Sequence, residues 1–401
     1  MGRPEEAEAD SARAWMVLGA AFVCSFTIFG IAYSFGAFFK PIAEEFGAGR
    51  GSTSALFSIT AFAYFVLSSV TGHMADRFGP RRVLAVGAIV MGTGLALTSR
   101  IDRLWLGYVT YGTGVGIGVA CGYVPMIAAV GGWFRRWRNA ALGIAVTGAG
   151  GGTLAVAPLA AALIERWGWR TTYLVFGLAG ATILLVCAVL TPRPPMHVEA
   201  SELKLTEAIR TRAFAILYLA SLLTGIALFV PMVFLPAFAQ GQGVGKVAAA
   251  ALVGFIGGSS MVGRLGLGTL SSRLDCIRLY QLSFLIVGLS FIIWIAAHSY
   301  GWLVIFAVTM GTGYGGYVGL APSVVVELFG IRGLGRMLGA LYTSAGIAAL
   351  IGPPMAGFVI DRTGSFEWAI IGSFVMGMAA FAVLMPLQTH SVIATPVTEP
   401  H

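Results

Sequence analysis

The chain has 401 residues, of which 57% are hydrophobic and 10% charged. Soluble domains carry about 25% charged residues, so this composition excludes a water-soluble globular fold. The net charge of +8 invites a nucleic-acid reading, but the basic residues are confined to short loops, which excludes an extended basic surface.

Residues 1–13 form a polar, acidic tail without the features of a signal peptide, so the first apolar run is expected to stay as a helix. Twelve apolar runs follow, near residues 14–38, 52–74, 83–99, 104–131, 140–164, 171–191, 213–238, 247–269, 279–298, 302–328, 338–360 and 368–388. Each is long enough to cross a bilayer as a helix. The longest polar connection, 192–212, contains three prolines with its flanking Thr191 and divides the runs six and six. The expected organisation is an N-terminal bundle over 14–191, a linker over 192–212, a C-terminal bundle over 213–388 and a tail over 389–401. The N-terminal tail and the even-numbered connections hold 16 Lys and Arg, and the odd connections hold 8. That bias places both termini in the cytoplasm.

The halves repeat one another. Gly112-Thr113-Gly114 in the fourth run matches Gly311-Thr312-Gly313 in the tenth, and Pro125 matches Pro322. Gly143 pairs with Gly339, and Pro158 with Pro353 or Pro354. Repeated halves around a central site are an architecture of secondary transporters. The four cysteines are scattered, mostly within apolar runs, and show no metal or redox spacing. No metal site and no cofactor are expected, and no nucleophile–base pair or phosphate-binding loop points to an enzyme.

One charge breaks the apolar pattern. Arg264 lies inside Ala251–Leu270, in the eighth run, while every other charged residue lies at a run's end or between runs. A lone cation at membrane depth costs several kcal/mol unless it meets a partner or water. The sequence supplies no buried carboxylate, so a mobile anion is the expected partner. Tyrosines in neighbouring runs are candidates to line its pocket, because each offers a hydroxyl and an apolar ring: Tyr33, Tyr123, Tyr314 and Tyr342. Thr27, Thr147, Thr153 and Ser344 are weaker candidates, since hydroxyls in membrane helices tend to bond their own backbone.

Two signatures carry a family resemblance. Gly72-His73-Met74-Ala75-Asp76-Arg77-Phe78-Gly79-Pro80-Arg81-Arg82 resembles the loop 2–3 motif of the major facilitator superfamily. Trp133-Phe134-Arg135-Arg136 through Gly143 to Gly150, with Ser34-Phe35-Gly36-Ala37-Phe38-Phe39-Lys40-Pro41 in the first run, resembles the branch of monocarboxylate porters and oxalate–formate exchangers. The resemblance implies an all-α integral membrane protein: twelve transmembrane helices in two pseudo-symmetric six-helix bundles, monomeric, in a bacterial cytoplasmic membrane. It also implies that Arg264 binds the substrate carboxylate and that tyrosines occupy positions such as Tyr33 and Tyr123. Asp76 and Arg77 at a helix end suit a latch that closes the cytoplasmic side; Arg135, Arg136 and Glu327 are further candidates for that gate, a solvated helix end being the other reading of Glu327.

Three positions depart from relatives. The lysine that holds a second carboxylate in dicarboxylate exchangers falls at Ala345. The aspartate and lysine of animal monocarboxylate transporters fall at Ser260 and near Tyr33. One central cation favours a monocarboxylate of the lactate, pyruvate or formate class, with a proton as co-substrate. An oxalate/formate-type dicarboxylate exchanger is the alternative, and a drug exporter, suggested by the Gly- and Pro-rich 346–357 stretch, is a third reading.

Overall fold

The computed structural model describes residues 10–195, 209–271, 273–329 and 334–387. The tails beyond these bounds, and residues 196–208 of the expected linker, lie outside the described residues. The twelve apolar runs become helices, numbered here as spans: α1 (Ala12–Tyr33, continued by Phe35–Phe46), α2 (Arg50–Phe78), α3 (Pro80–Thr98), α4 (Leu104–Trp133), α5 and α6 (together Arg138–Leu190), α7 (Arg212–Gly241), α8 (Lys246–Leu270), α9 (Cys276–Ile295), α10 (Tyr300–Phe329), α11 (Leu334–Thr363) and α12 (Glu367–Leu384). Gly168, at φ 76°, breaks α5 from α6; only glycine adopts that conformation without strain. Helix starts carry local caps: Ser11, Thr211 and Asp275 accept from the backbone N–H groups of Ala14, Phe214 and Arg278, and Pro80 opens α3 where its missing N–H costs nothing. The first helix runs eight residues beyond the expected end at 38. Its added turns carry Lys40, Glu44 and Glu45, so the helix leaves the apolar slab and continues into water.

The alternation of the spans puts Ala12 and Leu384 at one end, called here the terminal face, and the α1–α2, α5–α6 and α7–α8 connections at the other, the far face. Exposed tryptophans stand at both levels: Trp15 and Trp137 at the terminal face, Trp105, Trp167, Trp302 and Trp368 at the far face. Paired aromatic belts of this kind mark the two membrane–water interfaces.

Glycine sets the helix crossings. A Cβ on Gly152 of α5 would collide with the Phe26 carbonyl of α1, and one on Gly352 of α11 would stand 2.7 Å from the Ile226 carbonyl of α7. Gly116 of α4 meets the backbone of Thr60 on α2, and Gly315 of α10 meets that of Ser260 on α8. In each pair the contacting residues stand equally far apart in the chain, 126 and 126 residues in the first and 56 and 55 in the second, so the two halves cross their helices alike. Small residues let backbones approach closely where no hydrophobic effect drives helix association.

The halves touch along the far-face side. Phe39 meets Phe234 at 5.1 Å, Phe57 and Phe65 meet Phe229 at 6.0 and 6.3 Å, and Gly357 lies against the Gly51 amide. Arg50 at the start of α2 pairs with Asp361 at the end of α11 at 3.4 Å, and the Gly51 N–H donates to the same carboxylate at 3.3 Å. Toward the terminal face the halves diverge. Nothing lies within 4 Å of where a Cβ would stand on Gly143 or on its repeat partner Gly339, and Val66 and Val70 of α2 are exposed. The molecule is closed at the far face and open at the terminal face.

Candidate substrate site

Arg264 sits on α8, 18 residues from its start at Lys246 and six from its end at Leu270, where α8 crosses α5 and α10. Two glycines make the place. Gly257 faces Gly150 of α5, and Gly319 of α10 lies beside the Arg264 Cα, with 3.1 Å to a Cβ placed there. The half-buried guanidinium donates from Nη1 to the Val146 carbonyl of α5 at 3.1 Å, and its Cζ lies 5.8 Å from the Tyr314 ring centre. Among the described residues it makes no ion pair. Its Nε is buried with no hydrogen-bond partner, and no bond to Nη2 is made among the described residues. Nε–H and Nη2–H form one edge of the guanidinium plane, the edge that grips a carboxylate through two parallel hydrogen bonds. A buried N–H left open in this way needs an explanation.

The four expected tyrosines converge on this point. Tyr123 of α4 and Tyr342 of α11 both interact electrostatically with Arg264. Tyr33 of α1 lies close to Tyr314. Aromatic rings close the wall: Phe29 packs edge-on to Tyr123 at 5.0 Å and against Tyr33 at 5.7 Å, and Phe65 lies 6.3 Å from Tyr342. The site therefore offers one cation, several hydroxyls and an otherwise apolar lining, which suits a small anion with a short carbon chain.

One member was missed in the sequence. Tyr64 of α2 shares a hydrogen bond with Tyr33 at 3.2 Å and is 3% exposed. A polar ring in the middle of the second apolar run was the available signal. The weaker hydroxyl candidates face inward to their own helices: Thr27 donates to Val23, Thr147 to Ile144, Thr153 to Ala149 and Ser344 to Leu341. Ser260 does the same to Gly257, and Ala345 is buried beside Gly225 of α7. No second cation stands near Arg264 among the described residues.

The candidate gate residues lie apart at the open terminal face. Asp76 is exposed and makes no ion pair among the described residues. Arg77 stacks on Phe78 and its carbonyl accepts from Arg193. Arg135 is exposed, and the Arg136 N–H donates to Asp10 at 3.0 Å, tying the α4–α5 connection to the start of the chain. Glu327 ends α10 near Cys276 of α9; Arg332 and the side chain of Arg336, its expected neighbours, lie outside the described residues.

Comparison with known proteins finds relatives along most of the chain. The profile of the Major Facilitator Superfamily matches residues 21–296 and 270–399. Monocarboxylate transporter 3 of Rattus norvegicus is 31% identical over 377 residues, covering 89% of this chain and 76% of that protein. Monocarboxylate transporter 13 of the same species is 28% identical over 384 residues, covering 94% and 90%. Among solved structures, a bacterial homologue of the human lysosomal transporter Spinster, in an inward-facing and occupied conformation, superposes with a TM-score of 0.77 at 16% identity, over 96% of this chain and 97% of that one; this likeness is one of fold.

Proposed function

The chain belongs to the major facilitator superfamily, in the branch that holds the monocarboxylate transporters, and on that premise we propose that it carries small monocarboxylates of the lactate, pyruvate and formate class by alternating access. The superfamily consists of transporters, not enzymes. Arg264 carries the reading: a guanidinium within a membrane span, with no acid beside it among the described residues and its carboxylate-gripping edge unbonded. The substrate anion docks on Nε and Nη2, and its carbon chain packs against the ring wall of Phe29, Tyr123 and Tyr342.

Charge explains the coupling of occupancy to movement. Closing a dry cavity over an unpaired guanidinium costs several kcal/mol, and a bound anion offsets much of it. The loaded carrier therefore closes and reopens more readily than the empty one. With the terminal face in the cytoplasm, as its excess of basic residues supports, the conformation described here faces inward. Asp76, Arg77, Arg135, Arg136 and Glu327 then act as the inner gate, brought together when the six-helix halves rock. No acidic side chain lies near Arg264 among the described residues, so the accompanying proton travels with the substrate.

Uptake of a carboxylate panel into proteoliposomes tests this. Lactate, pyruvate or formate is expected to accumulate, faster under an inside-alkaline gradient. Acceleration only by carboxylate preloaded inside would mean exchange instead of symport, and selective uptake of oxalate would overturn the monocarboxylate assignment.

The far-face latch gives a second measurable consequence. Arg50 and Asp361 are both partly exposed, at 40% and 33%, so their pair is worth about 0.2–1 kcal/mol. Asp361→Asn is expected to raise the population open at the far face by at most about fivefold. Labelling of a Met232→Cys variant by an impermeant thiol reagent reads that population, since Met232 is buried behind Gly36 while the face is closed.

A further inference from the structure

The two seams that join the halves at the far face are related by the internal repeat, yet only one is tied by charge. Arg50 opens α2 and Lys246 opens α8, 196 residues later; Glu165 lies near the end of α5 and Asp361 near the end of α11, again 196 residues later. At the α2–α11 seam the pair Arg50–Asp361 closes at 3.4 Å. At the α5–α8 seam the corresponding residues stay apart: Glu165 is exposed, and neither it nor Lys246 makes an ion pair among the described residues.

A cavity of about 180 Å³, open to solvent, lies at this seam beside Lys246. Lys40 and Glu44 of α1, Ala161 and Ile164 of α5, Gln240 of α7 and Lys246 line it. Lys40 and Glu44 neutralise each other at 3.7 Å, which leaves the ammonium of Lys246 as the uncompensated charge. Gln240 adds an amide donor, and Ala161 with Ile164 supplies an apolar wall. We propose that this cavity is a second binding site, for a small carboxylate, in which the bound anion takes the role that Asp361 plays in the repeat-related seam.

The placement fits a station on the way to the centre. Lys246 and Arg264 are 18 residues apart on one helix, which is five full turns, so they share a face about 27 Å apart along the axis. Lys40 and Glu44 are 51% and 67% exposed, and a wide-mouthed site of this kind captures anions quickly and releases them quickly. Its effect falls on encounter from the far side and is screened by salt.

The inference rests on the carboxylate transport proposed above. The test compares Lys246→Gln with the unsubstituted protein in right-side-out and inverted membrane vesicles, using labelled lactate or pyruvate, whichever the unsubstituted protein carries. At low ionic strength, KM for entry from the far face is expected to rise about three- to tenfold, in line with the loss of a steering charge. KM from the terminal face stays as it was, Lys246→Arg restores far-face KM, and the difference collapses in about 1 M salt, where the Debye length is about 3 Å. An unchanged far-face KM, or an equal rise from both faces, overturns the site while leaving the transport function standing. An unsubstituted protein that moves neither acid overturns the carboxylate function itself, and the site with it.

Discussion

Arg264→Ala is expected to reach the membrane folded and to lose carboxylate transport by about two to three orders of magnitude. Removing one partner of a buried, hydrogen-bonded charge pair costs about 2–5 kcal/mol, and each 1.4 kcal/mol is a factor of ten in affinity. The loss has to appear in substrate binding as well as in flux, measured as displacement of labelled substrate from purified protein. Stability moves the other way. The substitution removes a half-buried cation that has no ion-pair partner among the described residues, so thermal unfolding in detergent is expected at the same temperature or higher. Arg264→Lys separates charge from geometry. An ammonium keeps the charge and loses the planar fork, so affinity is expected to fall about tenfold, the worth of one charged hydrogen bond. Undiminished uptake by the alanine variant would remove Arg264 from the mechanism.

The second large effect concerns the scaffold. Gly152→Leu is expected to prevent stable assembly, because even its Cβ would collide with the Phe26 backbone of α1. Backbone cannot swing aside as a long side chain can, so α1 and α5 must separate along the site's own wall. Overpacking of this kind costs about 1–3 kcal/mol or more, seen as a loss of monodisperse protein after extraction. Gly143→Leu, nine residues earlier on the same helix, serves as the contrast. Nothing lies within 4 Å of its Cβ direction, so it is expected to fold normally. In the proposed alternating access, however, closure of the terminal face would bring the halves together near Gly143 and its repeat partner Gly339. The same variant is therefore expected to bind substrate in the open form and transport it slowly.

Much of this molecule was legible before any coordinates. Apolar runs of bilayer length announced twelve helices, because the membrane allows a spanning segment few other ways to satisfy its backbone. Gly143 and Gly339 could be paired from order and spacing alone, and they stand in the same unfilled environment. Arg264 stood out for a similar reason: a charge within an apolar run is expensive enough to need a purpose. Its tyrosine partners were harder. Tyr33, Tyr123, Tyr314 and Tyr342 were nominated and do converge, while Tyr64 passed unnoticed, since a single ring in an apolar run looks the same whether it faces lipid, a neighbouring helix or a cavity.

The one-dimensional pattern of hydropathy and charge determined the class of protein, the number of spans, the repeat and the unpaired cation, because each is set by what a residue costs in lipid. Only the tertiary structure decided which tyrosines meet, that the Nε edge of Arg264 is left open while Nη1 bonds Val146, and which face is closed. It alone showed that Arg50 finds Asp361 while Lys246 and Glu165 stay apart. Those outcomes depend on how helices far apart in the chain cross, and crossings are set by backbone contacts such as Gly152 with Phe26 and Gly315 with Ser260, whose partners no local pattern names.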